Sequence, residues 1–261
     1  MSNNTSSKII RSFSDSVNYY HNNASLQKQT AERLARALEP WKYSLPPGQV
    51  LEIGAGTGFF TDYLFEMFTD RKKIISDASE EMIRFNKKRY EDNSADSFIV
   101  LNPETDDIED EKNALIAGNF VAHWFSDPSI TLSKLAKSLK PGGFMLMSFP
   151  GNQSYPQWQK LCLELGIPFT PNELPDIEKV VVNLSMGPYK VDFYEDQTTE
   201  EYPDLYSFYR HLKNSGMGTS RTGRKLKIKQ LRLLNDYWQE KNNGKISVHY
   251  HMAFLAVKRD L

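Results

Sequence analysis

The chain has 261 residues, of which 39% are hydrophobic, 12% aromatic and 25% charged, with a formal net charge of −1. That balance excludes a disordered or fibrous chain, and overall charge selects no polyanionic partner. A single cysteine, Cys162, excludes an intramolecular disulfide and any multi-cysteine metal site, which fits a reducing, cytoplasmic setting.

The first twenty residues hold no apolar core of signal-peptide length, and no run approaches the ~18 apolar residues of a membrane span. Residues 1–12 are polar and are expected to fray. Residues 24–38 place Ala31, Leu34, Ala35 and Leu38 on one helical face. Pro40, Pro46, Pro47 and Gly48 then interrupt the chain. From there strand and helix alternate. Residues 50–53 read as a buried strand running into glycines, residues 59–68 as a helix and residues 73–76 as a second strand. Ser79 caps the next helix. Further strands are expected at residues 97–101, 114–117 and 144–149, with an amphipathic helix at 129–139 between the last two. Five strands separated by helical segments predict an α/β fold: a doubly wound, mostly parallel sheet.

The rhythm changes after Phe149. Residues 155–165 read as a helix, followed by a stretch punctuated by Pro168, Pro171 and Pro175. Residues 189–194 alternate as a strand, 200–212 and 226–241 look helical, and 246–257 form a closing strand. Charge is uneven along the chain. Nine acidic and no basic residues lie between Tyr90 and Lys112; eight basic and no acidic ones lie between Phe208 and Asn235.

The sharpest local signal is the run from Val50 to Gly58, with glycines at 54, 56 and 58 after a strand and before a helix. Missing Cβ atoms allow a tight turn and close approach of a ligand, at the strand ends where open α/β sheets bind. A dinucleotide fold would carry G-x-G-x-x-G, but position 59 is Phe. Glu52, inside the strand, would repel pyrophosphate and suits a cationic ligand. Asp77 closes the second strand, where a carboxylate can accept both ribose hydroxyls of a nucleoside, cap the helix after it, or do both.

These residues resemble motif I of the class I S-adenosylmethionine-dependent methyltransferases, in which an E/D-x-G-x-G-x-G loop wraps the cofactor. The resemblance implies a seven-stranded sheet with its last strand antiparallel. It places Glu52, Gly54, Ala55, Gly56 and Gly58 around the methionine part, Asp77 and Ala78 at the ribose, and Met82 under the adenine. The acid usual after strand three is replaced by Asn102 or Glu104. The chain is more specifically similar to the malonyl-acyl-carrier-protein O-methyltransferases of biotin synthesis. RSFSDSVNYYHNNASLQKQ, GNFVAHWFSD, HLKNSGMGTSRTGR and VHYHMAFLAVKR resemble four family segments in the right order, with His123 where that family usually has Gln.

That similarity implies S-adenosylmethionine as cofactor and, as substrate, the free carboxylate of a malonyl thioester on acyl-carrier protein or coenzyme A. A carboxylate with a pKa of about 4 is already ionised at neutral pH, so positioning rather than a general base carries the reaction. By resemblance Tyr20 lies near the methyl group, with Tyr19 able to exchange with it, and Gln27 faces the methionine end. Asn119 and Trp124 are expected at the crevice, and His251 near the reacting groups. Lys213 or Arg221 could pair with the malonyl carboxylate. The basic run with Arg224 and Lys227 is either a solvated helix face or a docking face for an acidic carrier protein; it lacks the interleaved aromatics of a nucleic-acid platform. His249 and His251 share a strand face, but no other metal-ligand type lies close to them in sequence, so no metal site is expected. Residues 1–40 and 195–242 are expected to form a helical cap on a single-domain monomer. Two alternatives stay open: a methyltransferase of this fold acting on another small acid or amine, and a cofactor-binding protein without catalysis.

Overall fold

The computed structural model describes residues 3–90, 96–221 and 223–261, without the side chains of residues 3–6. Glu91 and Asp92 of the acidic run therefore lie outside the described residues. The chain opens with three helices, α1 (Asn3–Ser14), α2 (Val17–Asn23) and α3 (Ser25–Leu38). Strands and helices then alternate as β1 (Gln49–Ile53), α4 (Thr61–Met67), β2 (Lys73–Asp77), α5 (Glu80–Arg89), β3 (Ser97–Val100) and β4 (Asn113–Asn119). α6 (Pro128–Lys137), β5 (Leu139–Pro150), α7 (Pro156–Glu164), α8 (Ile177–Ser185) and β6 (Tyr189–Tyr202) come next. α9 (Leu205–Asn214), α10 (Ile228–Lys241) and β7 (Ile246–Arg259) complete the order.

The strands form one sheet in the order β3-β2-β1-β4-β5-β7-β6. The first five are parallel, and β7 runs antiparallel to both β5 and β6. This is the doubly wound, mostly parallel seven-stranded arrangement expected from the sequence. Strand order reverses between β1 and β4, so a crevice opens beyond their carboxyl ends.

Side chains alternate across each strand. Val50, Leu115, Leu146, Val248 and Tyr250 face one apolar core with Leu34, Trp158, Phe208 and Trp238. Leu51, Ile53, Ile116, Met145 and Leu255 face a second core with Leu132 and Val180. Helices α3, α4, α7, α9 and α10 therefore cover one face, and α6 and α8 the other.

Four expectations change. The polar start does not fray as a whole: α1 occupies Asn3–Ser14 and buries Ile9, and Ser14 Oγ lies 2.8 Å from Ser79 Oγ at the start of α5. The proline-punctuated stretch contains α8, whose N-cap Asp176 accepts from Lys179 N–H. α4 starts at Thr61 rather than 59. The alternation from Tyr189 extends to Tyr202, paired throughout with β7, so residues 195–202 belong to the sheet and not to the cap. Asp204 then caps α9; charged and polar residues on an edge strand hid its length from a pattern search.

Candidate functional site

The loop after β1 is built on backbone conformations that favour glycine. Gly54 has φ +65°, and a Cβ there would lie 2.4 Å from Val121 Cγ2. Gly56 has φ +55° and sits against Tyr20. Both line a cavity beyond the sheet. Gly58 does not: it packs under α5, where a Cβ would lie 2.5 Å from Asn86 Oδ1. Ala55 is also turned away, with its N–H donating to Ser76 O at 2.9 Å. Asp77 ties the loop to α5, its Oδ2 accepting from Gly56 N–H at 2.9 Å and its Oδ1 from Ser79 N–H at 2.8 Å. Burial raises the Asp77 carboxyl above the usual carboxylate range, and those N–H groups oppose the rise.

Tyr20, Ala78, Met82, Asn102, Glu104, Asn119 and Trp124 line the same cavity, as the sequence led us to expect. Asn102 and Glu104 both reach it in place of the acid usual after the third strand. Glu104 Oε1 also accepts from Ser126 N–H at 2.6 Å, and Asn102 Oδ1 from Glu104 N–H at 3.1 Å. The Tyr20 hydroxyl is held above its ordinary pKa, chiefly by burial and also by the Asp77 charge, so it stays a neutral phenol. Sequence reasoning missed Ile9, Ile10 and Phe13 of α1, which wall the cavity; their i, i+1, i+4 spacing was the available signal. The lining holds two carboxylates, Asp77 and Glu104, and no lysine, arginine or histidine among the described residues. That donor set fits a nucleoside carrying positive charge and opposes a phosphate-bearing dinucleotide.

Glu52 departs from its expected role. It is 1% exposed, does not line the cavity, and accepts from Thr61 Oγ at 2.7 Å, tethering the start of α4. Burial pushes its pKa up to about 8, against the Thr61 hydrogen bond and with the help of Asp77 and Asp62. The folded state therefore holds this proton more tightly than the unfolded chain, whose carboxyl titrates near 4.5. The contribution of Glu52 is fully present below about pH 4.5 and is lost as pH rises through about 8. Glu52→Gln keeps an acceptor for Thr61 and cannot ionise. Urea unfolding at pH 5 and pH 8.5 should show its stability falling less than that of the wild type across this interval; equal losses in the two proteins would contradict the assignment.

A wall separates this cavity from a second, larger one. Asn119 donates to Gln27 O at 2.9 Å and accepts from Ser148 Oγ at 2.9 Å, while Ser148 Oγ accepts from Phe120 N–H at 3.0 Å. Both ends of the Asn119 amide thus fix the turn after β4. The turn holds Phe120 at φ +58°, a strained value for an aromatic residue of the kind that clusters at functional sites. Phe120 and Trp124 line both cavities. The second is walled by Gln27, His123, Tyr155, Trp158, Phe208 and Tyr250, with Lys213, Arg224, Lys225 and Glu200 among its charged residues. Gln27, expected at the methionine end of the cofactor, lines this second cavity and not the first: its side-chain Nε2 lies 3.1 Å from Met217 Sδ, and only its backbone carbonyl meets Asn119 of the wall.

Besides Glu52, Ala55 and Gly58, four further candidates stand outside both cavities. Arg221 donates through Nη1 to Phe125 O at 3.1 Å and through Nη2 to Trp124 O, so it braces the wall and is not placed to pair with a substrate acid. Lys227 is exposed at the start of α10. Tyr19 lies against His211, with ring centroids 6.1 Å apart. His251 is on the opposite sheet face from Tyr250, with Nε2 3.1 Å from Glu195 Oε1. Strand alternation forbids neighbours 250 and 251 from sharing one cavity.

The chain is similar to known methyltransferases in sequence. A methyltransferase-domain family matches residues 51–145. A malonyl-acyl-carrier-protein O-methyltransferase of Priestia megaterium is 29% identical over 96% of this chain and 97% of its own length. Another, of Magnetococcus marinus, is 25% identical over 82% of this chain and 78% of its own. Among solved structures, the YcgJ protein of Bacillus subtilis superposes with a TM-score of 0.63 at 16% identity, covering 88% of this chain and 99% of that one.

Proposed function

We infer that this chain, a class I methyltransferase similar along nearly its whole length to malonyl-acyl-carrier-protein O-methyltransferases, uses S-adenosylmethionine to esterify the free carboxylate of a malonyl thioester. The observation that carries this is the opposite polarity of two adjoining cavities. The charged groups lining one are the carboxylates of Asp77 and Glu104; the other holds three cationic side chains against the single carboxylate of Glu200. A cationic donor and an anionic acceptor are each matched by the side of the wall that receives them.

In the first cavity the Asp77 carboxylate would accept the ribose hydroxyls, with Met82 against the base and the Gly54 and Gly56 backbone against the amino-acid end. The bound cofactor supplies an activated methyl on a sulfonium. The protein adds placement. Phe120 and Trp124 border both spaces, so an acceptor oxygen can reach the methyl only past them, in one narrow approach. Tyr20, a neutral phenol on the cofactor side, offers a hydroxyl without removing a proton. The carboxylate nucleophile is ionised at neutral pH, and no base is needed. Lys213 and Arg224 attract the acid. Helices α1–α3 and the segment from α9 to α10 form the cap that excludes water. Conversion of the acid to its methyl ester removes the charge and prepares the acyl unit for elongation towards a pimeloyl chain in biotin synthesis.

The test is transfer of label from S-adenosylmethionine to malonyl-acyl-carrier protein, read as a base-labile methyl ester. Absence of that ester, with label on some other small acid, would replace the substrate while keeping the chemistry.

We further propose that the basic segment around Arg224 and Lys227 receives the acidic carrier protein. Charge reversal at Lys227, which lies outside both cavities, should slow association with the carrier several-fold at low salt and leave methylation of malonyl-CoA within about twofold. The difference should shrink near 0.5 M salt, where screening acts over a few ångströms. Stopped-flow binding reads the first effect and steady-state rates the second; salt-independent association would place the docking face elsewhere.

A further inference from the structure

His123 stands in the wall between the two cavities. Its ring centroid lies 5.2 Å from that of Phe120 and 4.7 Å from that of Trp124, the aromatic residues that both cavities share. The residue is 9% exposed and lines the second cavity, and its Nδ1 is buried with no hydrogen-bond partner. Burial, then the nearby Arg221 charge, lowers its pKa to about 3, so the imidazole is neutral at physiological pH. A neutral imidazole carries one N–H and one lone pair. Buried N–H groups are left unpaired more rarely than acceptors, which favours the tautomer with its proton on Nε2.

We infer that His123 donates this Nε2–H to an oxygen of the acceptor acid and seats the carboxylate against the Phe120–Trp124 wall. The inference deepens the function proposed above and rests on it. One observation and one chemical argument favour His123 over Arg221. Arg221 is committed to the carbonyls of Trp124 and Phe125. A neutral donor also orients a carboxylate without neutralising it, leaving the oxygen nucleophilic. A glutamine amide N–H at this position could make the same bond.

The test compares His123→Gln, His123→Phe and His123→Leu in the full chain. KM and kcat for malonyl-CoA are separated, and calorimetry gives affinities for malonyl-CoA with S-adenosylhomocysteine present and for S-adenosylhomocysteine alone. A lost hydrogen bond to a charged acceptor predicts a roughly 10- to 100-fold rise in KM and Kd for malonyl-CoA in the Phe and Leu variants. Gln should stay within about threefold of wild type, and all variants should keep wild-type S-adenosylhomocysteine affinity. Wild-type KM in whichever apolar variant folds, or equal impairment of the Gln variant, overturns the inference and leaves the proposed function standing. Wild-type protein that methylates no malonyl thioester overturns the function, and the inference with it.

Discussion

Asp77→Ala should weaken S-adenosylhomocysteine binding by roughly 100-fold or more, the largest loss of affinity expected from a single change in this protein. The carboxylate faces the cavity and also holds the loop, accepting from Gly56 N–H at 2.9 Å and Ser79 N–H at 2.8 Å. Each hydroxyl bond to a charged acceptor contributes about 1.5–3 kcal/mol. Two such bonds correspond to about 3 kcal/mol at the least, or more than two decades in Kd. Loss of the loop acceptor adds to this by freeing Gly56, whose backbone touches the same cavity. Asp77→Asn keeps one acceptor but turns an amide N–H towards a donor, so it should fall between the two. Calorimetric titration decides the matter: wild-type affinity in the Ala variant would remove Asp77 from the cofactor.

Gly54→Ala should be the most damaging change to the loop itself. A side chain in the left-handed region costs about 1–2 kcal/mol, and overpacking a filled core adds about 1–3 kcal/mol. The second contribution has a named cause, since the new Cβ would lie 2.4 Å from Val121 Cγ2. Together these amount to about 2–5 kcal/mol, or a fall of roughly 5–15 °C in Tm for a chain of this size. Cofactor affinity should fall with it, because Val121 can yield only by moving the turn that carries Asn119 and Phe120. The double variant Gly54→Ala with Val121→Ala separates the contributions: it should regain the part due to collision and keep the part due to the backbone. Thermal unfolding of all four proteins completes the cycle. A Gly54→Ala protein with wild-type Tm would mean that the loop relaxes without cost.

The parallel half of the sheet was legible because its strands carry short apolar runs, and the first two lead into Gly54 and Asp77 ahead of a helix. Much of the first cavity's lining was legible for the same reason, since Gly54, Asp77, Asn102 and Asn119 sit at those strand ends. Local sequence says which positions turn but not which way a side chain points in space. Gly58 belongs to the same glycine pattern as Gly54, yet it serves packing under α5. Glu52 belongs to the same motif, yet it faces Thr61 and carries a proton. His251 and Tyr250 are neighbours, and one bond of strand alternation sends them to opposite faces. The wall of the cavity was harder still. Ile9, Ile10 and Phe13 lie in a polar opening segment whose helix is anchored by Ser14 against Ser79, a contact spanning 65 residues that no local pattern encodes. Arg221 looked like a free cation because its acceptors, two carbonyls nearly a hundred residues earlier, have no signature in composition.

The position of β7 bears on how the molecule is made. β6 pairs with no other strand than β7 among the described residues, and β7 is the later of the two in the chain. During synthesis β1 to β5 can assemble around the glycine loop as they emerge. β6 must wait as an unmatched ribbon until residues 246–259 leave the ribosome and slot in beside β5. The half of the protein that walls the carboxylate-bearing cavity is therefore available early. The half that adds Glu200, Phe208 and Lys213 to the second cavity matures only once β7 has emerged.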